Sequence, residues 1–509
     1  MTEAEVVIVG AGPTGLVLAC ELARRGIPHR LIERRDRPAE GSRGKGVQPR
    51  SLDMLGDLGV AAALIATGRF DLPMLAHGHD GPAPVASSPL PREGASYATP
   101  LLVPQWRVEA LLRDRMTDLG GRIDWGRELV AIEQADDRAI AHVRAGGVDE
   151  RIEARWLVGC DGGGSAVRKA IGVPFVGETF ERIRMWVGDV TLDGLDRDHW
   201  HVWRGADGFL ALCPLPGTDQ FQFQAQIPPE EEREPSIETF ADLIRQRTGR
   251  NDIRLLAAGW LSRWRANVRM VERFRTGRVL LAGDAAHVHS PAGAQGMNTG
   301  MQDAYNLGWK LAAVSAGADA SLIDSYQLER LPVARGVLDL SSELTRTAFS
   351  PDRGRDERTS QLDLDYRSSS LSVEAGAASA TIRAGDRAPD ATGLQGPDGT
   401  ACRLFDLLRG ARATVLVFGS DGAASLATSL EAFGEAVRLV RIVTAADIAI
   451  GASVDAEGAA HRLYAPLPNA LFIIRPDGYV GLTGSTADHL ALVRYLRRIV
   501  GNRREDAHD

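Results

Sequence analysis

Four apolar residues, Val6-Val7-Ile8-Val9, lead straight into Gly10-Ala11-Gly12-Pro13-Thr14-Gly15, a junction that narrows the fold more than anything else in the chain. A short β-branched run is what a buried parallel strand needs. Gly10 permits the tight turn, Gly12 lets the backbone approach a pyrophosphate, and Gly15 allows close helix–strand packing. A helix is expected from about Thr14 to Arg25, ended by Gly26, with its N-terminal amides and dipole facing the phosphates. Gly10, Gly12, Pro13, Thr14 and Gly15 are therefore cofactor-binding candidates. A second strand, Arg30 to Glu33, finishes with an acid 18 residues after Gly15, near the offset of about 20 at which an acid meets the ribose hydroxyls. Glu33 would repel an adenosine 2′-phosphate, which favours FAD or NAD over NADP in this site. Arg34 either stacks nearby or is plain surface.

At 509 residues the chain is too long for one core, so two or three domains are expected. A formal net charge of −8 argues against a nucleic-acid partner, which needs a basic face. Cys20, Cys160, Cys213 and Cys402 lie far apart, without CxxC or metal-ligand spacing, as expected of free thiols in a reducing compartment. The acidic start Met1 to Glu5 does not read as a signal peptide, and no apolar run nears the roughly 18 residues that span a bilayer. A cytoplasmic protein with no membrane partner is the expectation.

Two further strand ends carry glycine and aspartate. Trp156-Leu157-Val158-Gly159 precedes Cys160-Asp161-Gly162, where Ser165 reads equally as a helix cap. Leu280-Leu281-Ala282 precedes Gly283-Asp284-Ala285-Ala286-His287. After the latter, His287 to Asn298 leads into a long helix, expected from about Thr299 to Ala316. His287 and His289 are two apart with no third ligand nearby, so no metal is expected. From Phe180 to Ile227 aromatics alternate roughly with polar residues, and Phe221-Gln222-Phe223-Gln224-Ala225-Gln226 is a half-buried strand of period two. Pro228 to Glu234 is a solvated acidic loop.

In this order the three motifs resemble those of the flavin-dependent aromatic hydroxylases, the para-hydroxybenzoate hydroxylase-like class. Two more stretches fit the resemblance: Ser42 to Leu52, whose Arg43 would contact the flavin, and Val103 to Glu109, whose Gln105 would contact FAD. The resemblance implies an α/β fold, with a Rossmann-like FAD-binding domain, an inserted antiparallel-sheet substrate domain and a C-terminal thioredoxin-like domain. Their expected extents are 1–175 with 273–350, then 176–272, and 396–509 after a 351–395 linker. The tail lacks the redox pair, since no cysteine follows Phe418, and would serve a structural, dimerising or docking role. Asp161 would order backbone and water at the pyrophosphate, with Arg168 adding positive charge. Asp284 would accept a ribityl hydroxyl, and Pro291, Gly296, Met297 and Asn298 would face the isoalloxazine. Arg43, Pro291, Gly296 and Met297 are the catalytic candidates, the amides near Gly296 stabilising charge on reduced flavin.

The implied cycle is reduction of FAD by transient NAD(P)H, addition of dioxygen to give a flavin C4a-hydroperoxide, and oxygen transfer to a phenolic or polyketide-like aromatic. There is one dinucleotide fingerprint only, with no second one for a resident nicotinamide. Trp186, Trp203, Phe209 and Phe223 are the substrate-pocket candidates, with ordinary core the competing reading. Epoxidation, Baeyer–Villiger insertion and a FAD-stabilised binding protein without turnover remain as alternatives on this scaffold.

Overall fold

The parallel sheet at the N-terminus forms because its strands are apolar on both faces. Ala4–Val9 lies between His29–Ile32 and Val148–Gly159, parallel to both. The full order places Arg275–Thr276, Val279–Leu281, Val148–Gly159, Ala4–Val9, His29–Ile32 and Ile123–Asp124 side by side, with the Arg127–Gln134 and Ala139–Ala145 meander attached. Pro13–Ala23 and the long helix Gly296–Ser315 pack on this sheet, and seventeen consecutive residues of the long helix, Asn298 to Val314, are buried. The computed structural model describes residues 4–78, 80–85, 92–205, 208–290, 293–347, 357–447 and 449–501.

A second, eight-stranded sheet runs His287–Val288, Arg254–Met270, Val176–Asp193, Gln220–Ile227, Gly208–Pro214, Trp200–Gly205, Met74–Gly78, Gly81–Val85. It is antiparallel except where Trp200–Gly205 meets Met74–Gly78. The helix Ile237–Thr248, capped by Ser236 and Thr239, covers one face. The expected substrate domain is thus extended from outside its predicted bounds: the Met74–Val85 hairpin comes from the stretch assigned to the nucleotide domain.

The tail is built as Ala413–Phe418, helix Ala423–Leu430, Val437–Thr444, helix Ala459–Tyr464, Ala470–Ile474, Val480–Ser485 and helix His489–Val500. The first two of these strands are parallel and the last two antiparallel, the thioredoxin-like order. The predicted linker is not loose. Its described part supplies Val373–Glu374 and Leu394–Gln395 to the tail's sheet, and Gln361, Tyr366 and Leu371 are buried. Small and polar residues in that stretch mark edges and an interface rather than free chain.

One loop pins the tail to the long helix. Arg475 pairs with Glu329 at 2.7 Å and with Asp477 at 2.5 Å, all three buried. Asp477 in turn accepts from Asn306 and from the Trp309 indole, both at 3.1 Å. Lys310 closes the cluster on Glu329 at 2.7 Å.

Candidate functional site

Three adjacent parallel strands end in the three glycine motifs, so the sheet itself gathers segments far apart in sequence. Gly10 donates to the Ile32 carbonyl, Cys160 to Val9 and Ala282 to Gly159, which holds the strand ends level. Each glycine of the first turn has its own constraint. Gly10 has φ +105°, and a Cβ there would stand 2.5 Å from the Cys160 carbonyl. On Gly15 a Cβ would stand 1.9 Å from the Gly10 carbonyl, so the helix could not approach the strand. On Gly12 it would meet nothing within 4 Å. Open ground in front of a helix N-terminus is what a pyrophosphate needs. Pro13 opens that helix, at a position where no amide is lost.

Glu33 follows the second strand and turns inward, accepting from the Ala11 amide at 2.9 Å and the Arg35 amide at 3.1 Å. It ties the glycine turn to the end of its strand. Arg34 is exposed.

Asp161 is engaged within its own loop. Its carboxylate accepts from Ser165 Oγ and the Ala166 amide, both at 2.6 Å, and from the Val167 amide at 3.1 Å, while Ser165 caps Arg168 N at 2.9 Å. The positive charge expected of Arg168 at the phosphates points elsewhere. Its guanidinium donates to the Ala285 and Gly163 carbonyls at 3.0 and 2.8 Å and lies over the Phe175 ring. Buried carbonyls claim it, and it joins the second motif to the third.

Gly283 has φ +60°, and a Cβ on it or on Gly300 would stand 2.5 or 2.6 Å from the Thr14 hydroxyl. Thr14 is therefore wedged between the third motif and the long helix. Asp284 reaches solvent, yet the surrounding protein raises its carboxyl pKa, against the pull of His287 and Arg43. Behind it sits a group that sequence reading missed. Asp303 accepts from the Gly283 amide at 3.1 Å, from His287 at 2.7 Å and from Arg330 at 2.7 Å. Burial works to raise the Asp303 pKa, but Arg330 and His287 hold it below the usual range. No spacing signal marks an aspartate in mid-helix as the anchor of a loop 20 residues earlier.

The segment Gly41–Gln48 bridges this cradle and the second sheet. Gln105 fixes it by accepting from the Gly44 amide at 3.1 Å, and donates to Glu109 at 2.9 Å. Asn298 fixes its far end: its side chain accepts from the Gln48 amide at 2.8 Å and donates to the Gly46 carbonyl at 3.0 Å. Arg43 is exposed and acts electrostatically on both Asp284 and Glu109. Gly296 and Met297 open the long helix, half-buried, with Gly296 beside the His289 ring. Pro291 lies outside the described residues.

The substrate-pocket expectation needs correcting. Phe223 stacks on Phe240 at 4.1 Å and Trp186 on Phe240 at 5.7 Å, under the covering helix. Trp203 is on the same side, stacked on His77 at 4.2 Å. These three form the core of the second sheet on the face turned away from the cradle. The cradle-side face carries the alternate residues. Gln222 donates through Nε2 to the Ser42 carbonyl and accepts from Lys45 Nζ at 2.5 Å. Phe209 alone of the four candidates is on that face, half-buried. Period two was visible in sequence; which phase faced the cofactor was not, because the covering helix decides it.

Among the described residues no group of three or more His, Cys, Asp or Glu could hold a metal ion, and no helix is long and apolar enough to cross a membrane. The open ground at Gly12, Glu33 at the next strand end and the solvent-facing Asp284 fit a bound FAD.

Such a cradle, opposite an antiparallel sheet and backed by a thioredoxin-like unit that keeps Cys402 but no redox pair, defines a FAD-binding protein. Residues 3–341 match the family model described as FAD binding domain, and 381–502 that described as aromatic-ring hydroxylase, C-terminal. The chain is 42% identical over 506 residues to a flavin-dependent monooxygenase of Mycobacteroides abscessus, covering 97% of this chain and 100% of that one. It is 34% identical over 531 residues to 6-methylpretetramide 4-monooxygenase of Streptomyces rimosus, covering 97% and 93%. Among solved structures, an anhydrotetracycline hydroxylase from Streptomyces rimosus superposes with a TM-score of 0.77 at 30% identity, over 99% of this chain and 100% of that one. The chain belongs to the FAD-binding aromatic-ring hydroxylase family and is a flavin-dependent monooxygenase.

Proposed function

We propose that this protein hydroxylates a phenolic or polyketide-like aromatic small molecule, consuming NAD(P)H and dioxygen. The observation that carries this reading is the bridge from Gly41 to Gln48, which sets a polar sheet face directly against the FAD cradle. FAD, when bound, supplies hydride acceptance and oxygen activation. The chain's own groups do the rest. The amides opening Pro13–Ala23 bind the pyrophosphate, Glu33 the ribose, and Asp284 the ribityl chain. The start of Gly296–Ser315 presents its amides and dipole to the electron-rich edge of the ring system. Arg43 flanks the flavin, and the sheet face carrying Gln222, Gln224 and Phe209 orients the substrate and excludes water. The relatives that act on tetracycline precursors support a polycyclic substrate, and no resident nicotinamide site is needed for a cofactor that visits transiently.

The test is NAD(P)H consumption by the FAD-loaded protein against phenols and polycyclic aromatics, with product masses recorded. Stimulated consumption with a gain of one oxygen atom on the ring is expected. Insertion beside a ketone or across a double bond would replace hydroxylation by Baeyer–Villiger or epoxidase chemistry. Unstimulated consumption throughout would favour a FAD-stabilised binding protein.

A further inference from the structure

The bridge from Gly41 to Gln48 carries Arg43, and it is gripped differently on the two sides of that residue. Downstream, the chain entering helix Gln105–Asp118 holds the backbone. The Gly44 amide donates to Gln105 Oε1 at 3.1 Å, the Gly44 carbonyl accepts from the Gln105 amide at 3.0 Å, and the Lys45 carbonyl accepts from the Val103 amide at 3.0 Å. Upstream, the grip comes from the second sheet. A Cβ on Gly41 would stand 2.4 Å from the Trp260 ring, and Gln222 Nε2 donates to the Ser42 carbonyl.

Gln222 also reaches past Arg43. Its Oε1 accepts from Lys45 Nζ at 2.5 Å, so one carboxamide holds Ser42 and Lys45 together across the arginine. A carboxamide suits this place as no other side chain does. Its nitrogen meets a carbonyl and its oxygen an ammonium, so a flip would set acceptor against acceptor and donor against donor. A glutamate would repel the Ser42 carbonyl, and an apolar residue would strand both partners. Gln222 is 1% exposed, so its polar end serves the bridge rather than a substrate. The other groups around it are charged or ionisable. Asp189 stands opposite Gln222 on the neighbouring strand. Burial raises its carboxyl pKa, while the Ser42 amide and hydroxyl and the Lys45 ammonium pull it back down. The Lys45 ammonium is itself enclosed, its pKa lowered by burial against the pull of Cys213 and Asp189. Among the described residues Gln222 is its one hydrogen-bond acceptor, and the Trp200 ring centroid lies 4.4 Å away.

We propose that Gln222 is the positioning residue for Arg43. By fixing the residues on both flanks of Arg43–Gly44, it sets the exposed guanidinium at one place beside the flavin. Positive charge held there favours the reduced, more negative form of the cofactor. Without the carboxamide Ser42 loses its donor and Lys45 its acceptor, and the turn bearing Arg43 moves off the ring. This assignment rests on the flavin-dependent reading above and adds to it a residue that acts on FAD through another side chain.

The test is the midpoint potential of bound FAD, followed by reductive titration against a reference dye with no substrate present. It compares wild type, Arg43→Gln, Gln222→Met and the double variant, with flavin content confirming that each is loaded. Arg43→Gln should cost the reduced form about tenfold in preference, a fall of about 30 mV for a two-electron couple. Gln222→Met should lower the potential as well, and Arg43→Gln should then lower it no further. Loss of the Lys45 acceptor is common to Gln222→Met and the double variant, so it cannot mimic that result. Should Gln222→Met fail to keep flavin, Gln222→Asn, whose shorter side chain cannot span both partners, carries the same comparison. An Arg43→Gln effect of equal size in both backgrounds, no effect of Arg43→Gln in the wild type, or a Gln222 variant with the wild-type potential would each overturn the proposal. Since neither substrate nor turnover is involved, these outcomes leave the hydroxylase reading to its own assay.

Discussion

Single residues act here mainly by where they cannot carry a side chain and by which charges they can hold. Gly15 is the sharpest case: the Cβ of Gly15→Ala would stand 1.9 Å from the Gly10 carbonyl, so the helix must back away from the strand and its amides from the pyrophosphate. We expect Gly15→Ala to purify with little or no flavin, measured by the ratio of flavin to protein absorbance; full occupancy would refute the packing argument. His289 is a titration case. Burial lowers its pKa to about 4, whereas an unfolded imidazole titrates near about 6.5. Between those values the unfolded chain binds more protons, so stability rises with pH across that window and is lost as pH falls through it. His289→Gln should flatten the fall in melting temperature between pH of about 6.5 and about 4 relative to wild type, and an unchanged profile would mean that the ring is not protected. At this scale the glycine turn was legible, since it answers a local steric demand, and Glu33 was legible as the acid that ends its strand, while its hold on the Ala11 amide was not foreseen. Asp161 was legible as a residue, and the structure shows it capping its own loop. Lys45 was not legible, because its partner Gln222 is 177 residues away, and Asp303 was not, because no local spacing rule marks partners that only the packed loop and helix bring to it.

At the scale of elements, the strand Gln220–Ile227 shows what periodicity conveys. Alternation correctly announced a half-buried strand, yet the phenylalanines face the helix Ile237–Thr248 and the glutamines face the cradle. Phe223→Ala should therefore cost about 3–5 kcal/mol of stability, as for a large aromatic removed from a core, while leaving the substrate KM of the folded enzyme unchanged. Gln224→Leu should do the opposite, raising KM with little change in melting temperature. Denaturant titration and steady-state kinetics on both variants separate the faces, and the reverse pattern would restore the aromatic-pocket expectation. The long helix likewise was foreseen, though three residues short at its start. Its glycines serve packing: a Cβ on Gly308 would stand 2.5 Å from Glu21 Cβ on the facing helix.

At the scale of the molecule, the tail is seated by ions rather than by a hinge. Glu329 would be raised by burial, but Arg475 and Lys310 hold it well below the usual carboxylate range. Removing one partner of such a buried cluster typically costs about 3–5 kcal/mol, because the remaining charge is stranded. Arg475→Met should therefore lower the melting temperature and split the calorimetric transition into two, one for the tail and one for the flavin unit. A single unshifted transition would show that the apolar interface suffices. The same carboxylate predicts acid sensitivity: its stabilisation is complete above the unfolded value of about 4.3 and fades as pH falls below it. What the sequence by itself determined is the set of local machines, namely the dinucleotide turn, the parallel strands, the thioredoxin-like tail and the absence of its redox pair, since each depends on residues within a few tens of positions. Tertiary structure alone decided which face of the second sheet meets the flavin cradle, which buried carboxylates answer which cations, and that the expected linker is an interface. Those outcomes depend on how whole elements pack on one another, some of them more than a hundred residues apart, and hydrophobic periodicity has the same appearance from either side of a sheet.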